Sequence, residues 1–95
     1  MLRPVVYRRG VGRDLARAYQ WYQARQDGLG ERFLSAVEQA SGVIERFPEM
    51  FSTISGDVRR VLISGYPYAA FYRVESRRIV VLAVLHTARN PALWP

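Results

Sequence analysis

Ile79-Val80-Val81-Leu82-Ala83-Val84-Leu85-His86 is the stretch on which the fold turns. Seven successive positions are apolar and then a single histidine ends the run. The segment is short and rich in β-branched residues, so it reads as a strand. A strand apolar on both sides is buried on both sides. Upstream, Tyr68 to Val74 places Tyr68, Ala70, Tyr72 and Val74 on one face, and Val58 to Ile63 forms another strand candidate. Ser64-Gly65-Tyr66-Pro67 and Glu75-Ser76-Arg77 are turns. Such short connections leave no room for crossovers, so the three strands form an antiparallel meander.

Before the meander lie two helical patterns. Leu15, Ala18, Tyr19 and Tyr22 recur at helical spacing between about Arg13 and Gln26, with Trp21 widening the stripe. Phe33, Val37, Ala40, Ile44 and Phe47 do so between about Glu31 and Phe47, where Pro48 stops the helix. Asp27-Gly28-Leu29-Gly30 is the turn between them, so the helices form an antiparallel hairpin. Val5-Val6-Tyr7-Arg8 is a first strand, broken by Gly10 and Gly12. The expected architecture is α+β, in the order β-α-α-β-β-β. The helical hairpin covers one face of a small, mainly antiparallel sheet. What covers the other face is the C-terminal tail or a second polypeptide. The tail after His86 has only nine residues, which favours a partner and predicts an exposed apolar face on the isolated chain.

Composition narrows the chemistry. Ninety-five residues make one domain, residues 1–95. The absence of cysteine excludes disulfides, thiolate metal sites and cysteine nucleophiles. A single histidine excludes a multi-histidine metal centre, so neither a metal nor a cofactor is expected. No stretch approaches the roughly 20 apolar residues of a membrane span. Met1-Leu2-Arg3-Pro4 lacks the apolar core of a signal peptide, and the expected location is the cytoplasm. The net charge is +6, and all fourteen basic residues are arginine. Codon bias is one reading of the missing lysine; a surface for acidic matter is the other. Lysine-based acid/base chemistry is excluded either way. A nucleic-acid module is a rival class, but no helix reads as carrying a basic stripe and no recognition motif is visible.

Several pieces, in order, carry a family likeness: Asp14-Leu15, Ala18 and Trp21-Tyr22; Gly28-Leu29-Gly30; Arg32-Phe33; Phe47-Pro48; Val58-Arg59-Arg60; Tyr66-Pro67-Tyr68; Phe71-Tyr72-Arg73-Val74; then His86, Arg89-Asn90-Pro91 and Trp94. The chain resembles the ParE/RelE superfamily of type II toxin–antitoxin toxins, on its ParE-like, plasmid-stabilisation side. The resemblance implies a cognate antitoxin with a DNA-binding N-terminal part and a C-terminal segment that wraps the toxin. It implies a heterotetramer or larger assembly, and operator DNA reached only through the antitoxin. ParE-like toxins poison DNA gyrase; RelE-like toxins cut mRNA on the ribosome.

Cutting RNA at a 2′-hydroxyl needs a base, an acid and cations on the phosphorane. The RelE-like branch uses Lys and Arg on the sheet and often a C-terminal Tyr. Here lysine is absent, Ala69 and Ala70 stand where that branch tends to carry Arg, and the terminal aromatic is Trp94. A ribonuclease would have to work with Arg60, His86 and Arg89. The favoured reading is non-enzymatic inhibition of gyrase, with Arg59, Arg60, Tyr72, His86, Arg89 and Trp94 as candidate target contacts. Arg59 and Arg60 are adjacent on a strand, so only one of them faces any given site. A lone histidine ending a strand is more often structural than catalytic, and Tyr72 reads as core with its hydroxyl at the surface. Candidate antitoxin contacts are Trp21, Tyr22, Val80, Leu82 and Val84. Trp21 and Tyr22 read first as core and only second as partner contacts.

Overall fold

The structure is a computed structural model that describes residues 2–88. Its elements are β1 (Val5–Tyr7), α1 (Val11–Arg25), α2 (Leu29–Arg46), β2 (Thr53–Ser55), β3 (Val58–Leu62), β4 (Tyr68–Val74) and β5 (Ile79–His86). They build one five-stranded sheet in the order β1-β5-β4-β3-β2. β1 runs parallel to β5, with Val5 opposite Ile79, while the other pairings are antiparallel. The expected α+β architecture is present, with one strand more. Three-residue β2 has every residue exposed and no alternating pattern, so periodicity does not reveal it.

Both helices begin earlier than the sequence suggested. Gly10 and Gly28 hold φ of 99° and 85°, a left-handed conformation that glycine alone adopts cheaply. Each ends its loop there, and the helix starts at the next residue. Gly12 and Gly30, read as breakers, therefore sit inside helices. Gly30 is packed tightly: its N–H donates to Gln23 Oε1 at 3.0 Å, and a Cβ there would lie 2.7 Å from the Tyr19 ring. Tyr19 reaches across the hairpin and donates to Glu31 Oε1 at 3.0 Å. That hydrogen bond, with some desolvation, raises the Tyr19 pKa.

The main core lies between the helices and one sheet face. Ala18, Tyr22, Phe33, Val37, Ala40 and Ile44 meet Val61, Ile63, Tyr68, Ala70, Tyr72, Ile79, Val81 and Val84. Tyr22, Phe33, Tyr66 and Tyr68 form an aromatic cluster with ring centroids 5.1–6.2 Å apart. Each such pair contributes roughly 0.5–1.5 kcal/mol beyond burial. Two expected stripe members lie outside. Trp21 is 43% exposed and Phe47 57%. Trp21 lies about 100° around the helix from its buried neighbour Tyr22. Phe47 leaves the helix at φ −134°, ψ 66°, which breaks the helical spacing that would have kept it on the stripe.

The opposite sheet face corrects a central expectation. Val58, Ala69, Phe71, Val80 and Leu82 form a second cluster there without either helix, yet none is more than 9% exposed. This face is closed by the chain itself and is not an open apolar platform. The tail from residue 89 onward lies outside the described residues. At its far end the sheet is tied by a small ionic hairpin. Glu75 accepts from Arg78 Nε at 2.9 Å and from Arg73 Nε at 3.4 Å. The Arg78 hydrogen bond chiefly holds its carboxyl below the usual range.

Candidate functional site

The residues proposed from sequence separate into three places. Arg59 and Tyr72 stand opposite each other on β3 and β4, on the helix-covered face. Tyr72 is fully buried, and its hydroxyl donates to Pro48 O at 2.9 Å rather than emerging at the surface. Arg59 Nη1 donates to Phe51 O at 2.5 Å and Glu49 O at 3.3 Å. Burial raises the Tyr72 pKa, and the Arg59 charge pulls against that shift. Both candidate target contacts thus hold the backbone that follows α2.

Arg60 and His86 fall on opposite sides of the sheet. Arg60 pairs with Phe71, whose side chain belongs to the second cluster. His86 pairs with Tyr68, on the helix face, and its ring meets the Tyr68 ring edge-on at 5.3 Å. The backbone N–H of Ala88 donates to His86 Nδ1 at 3.1 Å, so that nitrogen is the acceptor. Arg89 and Trp94, the remaining target candidates, lie outside the described residues. The Arg60–His86–Arg89 set offered for RNA cleavage is therefore not assembled from its described members. Among the described residues no cluster of His, Cys, Asp or Glu could hold a metal ion. No helix there is long and apolar enough to cross a membrane.

The proposed antitoxin contacts divide as well. Val80 and Leu82 lie in the second cluster, but Val84 is in the main core. Alternation would put all three on one face. A bulge breaks it, because Phe71 pairs with Ala83 and Tyr72 with Val81, leaving Leu82 between. None of the three is open. Tyr22 is core, while Trp21 stands outside with its ring edge-on to Tyr22 and the Arg25 guanidinium 4.3 Å from its centroid.

The open apolar surface lies elsewhere. A groove of about 450 Å³ runs between α2 and β3, lined by Ala36, Ala40 and Val43 from the helix and by Arg60, Val61 and Leu62 from the strand. Phe51 also lines it. β2 pairs with β3 only at Val58 and Arg59. Among the described residues, the outer edge of β3 from Arg60 onward has no neighbouring strand. Leu62 is 61% exposed and Val43 is also exposed. Beyond Phe51, Phe47 and Met50 project into solvent on the loop that Arg59 and Tyr72 hold. A groove of this size, apolar and beside a strand edge that no described strand covers, is suited to a peptide segment. Sequence reasoning missed it because its walls come from two elements whose exposed residues are scattered in the chain. Leu62 alone, apolar on the outward position of a short strand, signalled it.

Comparisons agree with this architecture. No curated protein matches the chain. A solved structure described as the chromosomal ParDE TA system from P. aeruginosa superposes with a TM-score of 0.76 at 15% identity. The match covers 88% of this chain and 95% of that one. At that identity the likeness shows a shared fold. The family model for the ParE toxin of the type II toxin–antitoxin system parDE matches residues 5–91. The chain belongs to the ParE toxin family of type II toxin–antitoxin systems.

Proposed function

We propose that this chain arrests growth by binding DNA gyrase and blocking it, without enzymatic activity of its own. The observation that carries this reading is the separation of Arg60 and His86 by the thickness of the sheet. Cleavage of RNA by its 2′-hydroxyl needs base, acid and cation around one phosphate. Two groups on opposite faces do not provide that, and lysine is absent. Inhibition by binding needs only a shaped surface.

The same reading includes neutralisation by an antitoxin. Its C-terminal segment, amphipathic and rich in Glu and Asp, occupies the groove between α2 and β3. Its apolar side covers Val43 and Leu62, and its carboxylates meet Arg60. The exposed apolar lining, and a β3 edge that no described strand covers beyond Arg59, support this placement over the closed face of Val80 and Leu82. The complex assembles as a heterotetramer or larger.

The test is gyrase-catalysed supercoiling with the purified chain added. Supercoiling falls or a cleavage complex is trapped, and the antitoxin reverses the effect. Unchanged supercoiling, together with mRNA cleavage in a purified translation system, overturns the proposal.

A further inference from the structure

The positive charge of this chain is unevenly placed. Up to Arg25 there are six arginines against one acid, Asp14; from residue 26 to 88 there are seven against seven. The excess charge of the described chain therefore sits at the N-terminal end, with Arg3, Arg8 and Arg9 ahead of α1 and Arg13, Arg17 and Arg25 on it. The exposed positions of α1 form two adjacent rows at four-residue spacing. One row is Arg13, Arg17, Trp21 and Arg25. The other is Gly12, Ala16, Gln20 and Ala24. Arg9, also exposed, lies two residues before the helix begins. Neither row contains an acid, and Asp14 lies half-buried off both. Among the described residues, Arg9, Arg13 and Arg17 form no ion pair and no side-chain hydrogen bond. The sequence reading, that no helix carries a basic stripe, is corrected by this exposure pattern: the two rows separate only once the buried face is known.

We propose that this face of α1 docks on the phosphate backbone of duplex DNA, independently of the gyrase reading. The row spans about 18 Å, with Arg13 and Arg17 roughly 6 Å apart and Arg25 roughly 12 Å further on past Trp21, set by the 1.5 Å rise of the helix. Duplex DNA offers a dense, rigid line of negative charge, about one per 1.7 Å of axis. Guanidinium forks match phosphate oxygens two at a time. The neighbouring row, small at Gly12, Ala16 and Ala24, lets the helix approach the backbone closely. An acidic protein partner would use a more apolar contact centre. Here the sole large apolar side chain on the two rows is Trp21, with Arg25 over its ring and Tyr22 at its edge. A single strand would want several exposed rings to stack on. The face shares no residue with the α2–β3 groove, so an antitoxin in that groove leaves it accessible. This gives the toxin a direct hold on DNA, where the sequence reading reached DNA only through the antitoxin.

The test is fluorescence anisotropy of the full chain with a short labelled duplex of arbitrary sequence, over a series of salt concentrations. Wild type binds, and its affinity falls steeply with salt. In the triple variant Arg13→Gln/Arg17→Gln/Arg25→Gln, the slope of log K against log salt flattens by about 2.7, at about 0.9 per lost phosphate contact. A second triple variant, Arg32→Gln/Arg46→Gln/Arg77→Gln, removes the same charge from exposed positions elsewhere and keeps the wild-type slope. Equal flattening in both triples would reduce the effect to net charge and overturn the proposal. So would absence of duplex binding by wild type, tighter binding to a single strand, or binding to polyglutamate but not to duplex. Circular dichroism of both variants establishes that they are folded.

Discussion

Arg59 and Tyr72 face each other across β3 and β4, and both donate hydrogen bonds to the same stretch of backbone: Tyr72 to Pro48 O, Arg59 to Glu49 O and Phe51 O. Pro48 ends α2, so the chain leaves the helix with carbonyls that no helical N–H can satisfy. These two side chains satisfy them from the sheet. They fix the loop that carries exposed Met50 and the groove-lining Phe51.

Tyr72→Phe removes one neutral donor and leaves Pro48 O unpaired, at a cost of about 0.5–1.5 kcal/mol. Arg59→Ala removes a charged donor to two carbonyls and costs about 1.5–3 kcal/mol. The pair holds one loop, so the double variant falls short of the two losses added together. Urea unfolding of the four proteins measures this. Strict additivity would show that the loop is not a shared unit.

The buried Tyr72 hydroxyl also sets an alkaline limit. Its pKa is raised in the folded state, so its contribution is complete below the ordinary tyrosine range near 10 and declines as pH climbs through the raised value. The stability gap between wild type and Tyr72→Phe therefore narrows at strongly alkaline pH. A gap constant with pH would contradict a buried, titrating hydroxyl.

Gly30→Ala brings a methyl group against the Tyr19 ring and Gln23 Oε1, both closer than 3.0 Å. The ring is pinned by its bond to Glu31 and gives way poorly. Overpacking of this kind costs about 1–3 kcal/mol, more than the helix-propensity gain of about 1 kcal/mol from replacing glycine. Thermal unfolding should show a lower midpoint. A raised midpoint would mean that the hairpin spreads freely.

Leu62→Glu places a carboxylate on an exposed edge position and changes stability by no more than about 0.5 kcal/mol. It weakens antitoxin binding at least about tenfold, equivalent to about 1.4 kcal/mol, because the acidic segment meets a new negative charge. Titration calorimetry with the cognate antitoxin reads both affinity and stoichiometry. Unchanged affinity would move the antitoxin away from this groove.

His86→Gln loses the Ala88 contact and the ring packing on Tyr68 while leaving growth arrest on induction intact. A folded His86→Gln chain without toxicity would return the histidine to a chemical role and restore the ribonuclease reading.

Much of the fold was legible in the chain because it follows from short-range periodicity. The α2 stripe of Phe33, Val37, Ala40 and Ile44 and the β4 alternation of Tyr68, Ala70 and Tyr72 are buried as their spacing requires. The candidate site was much less legible. Arg59 looked like a target contact because nothing local hinted at carbonyls eight and ten residues upstream. Val80, Leu82 and Val84 looked like one face because a bulge has no sequence signature in an unbroken apolar run. The basic row on α1 was hidden because its arginines are spread over one end of the chain among small residues.

Composition and periodicity alone settle that this chain makes two amphipathic helices and a β-meander, with no thiol, lysine or histidine-cluster chemistry, since those are properties of residue type and of neighbours within a turn or two. The folded molecule decides which faces stay open: the second sheet face is shut, an apolar groove lies between α2 and β3, and Arg60 and His86 are kept apart. Exposure depends on what distant parts of the chain lay over a residue, and that is settled by packing in three dimensions.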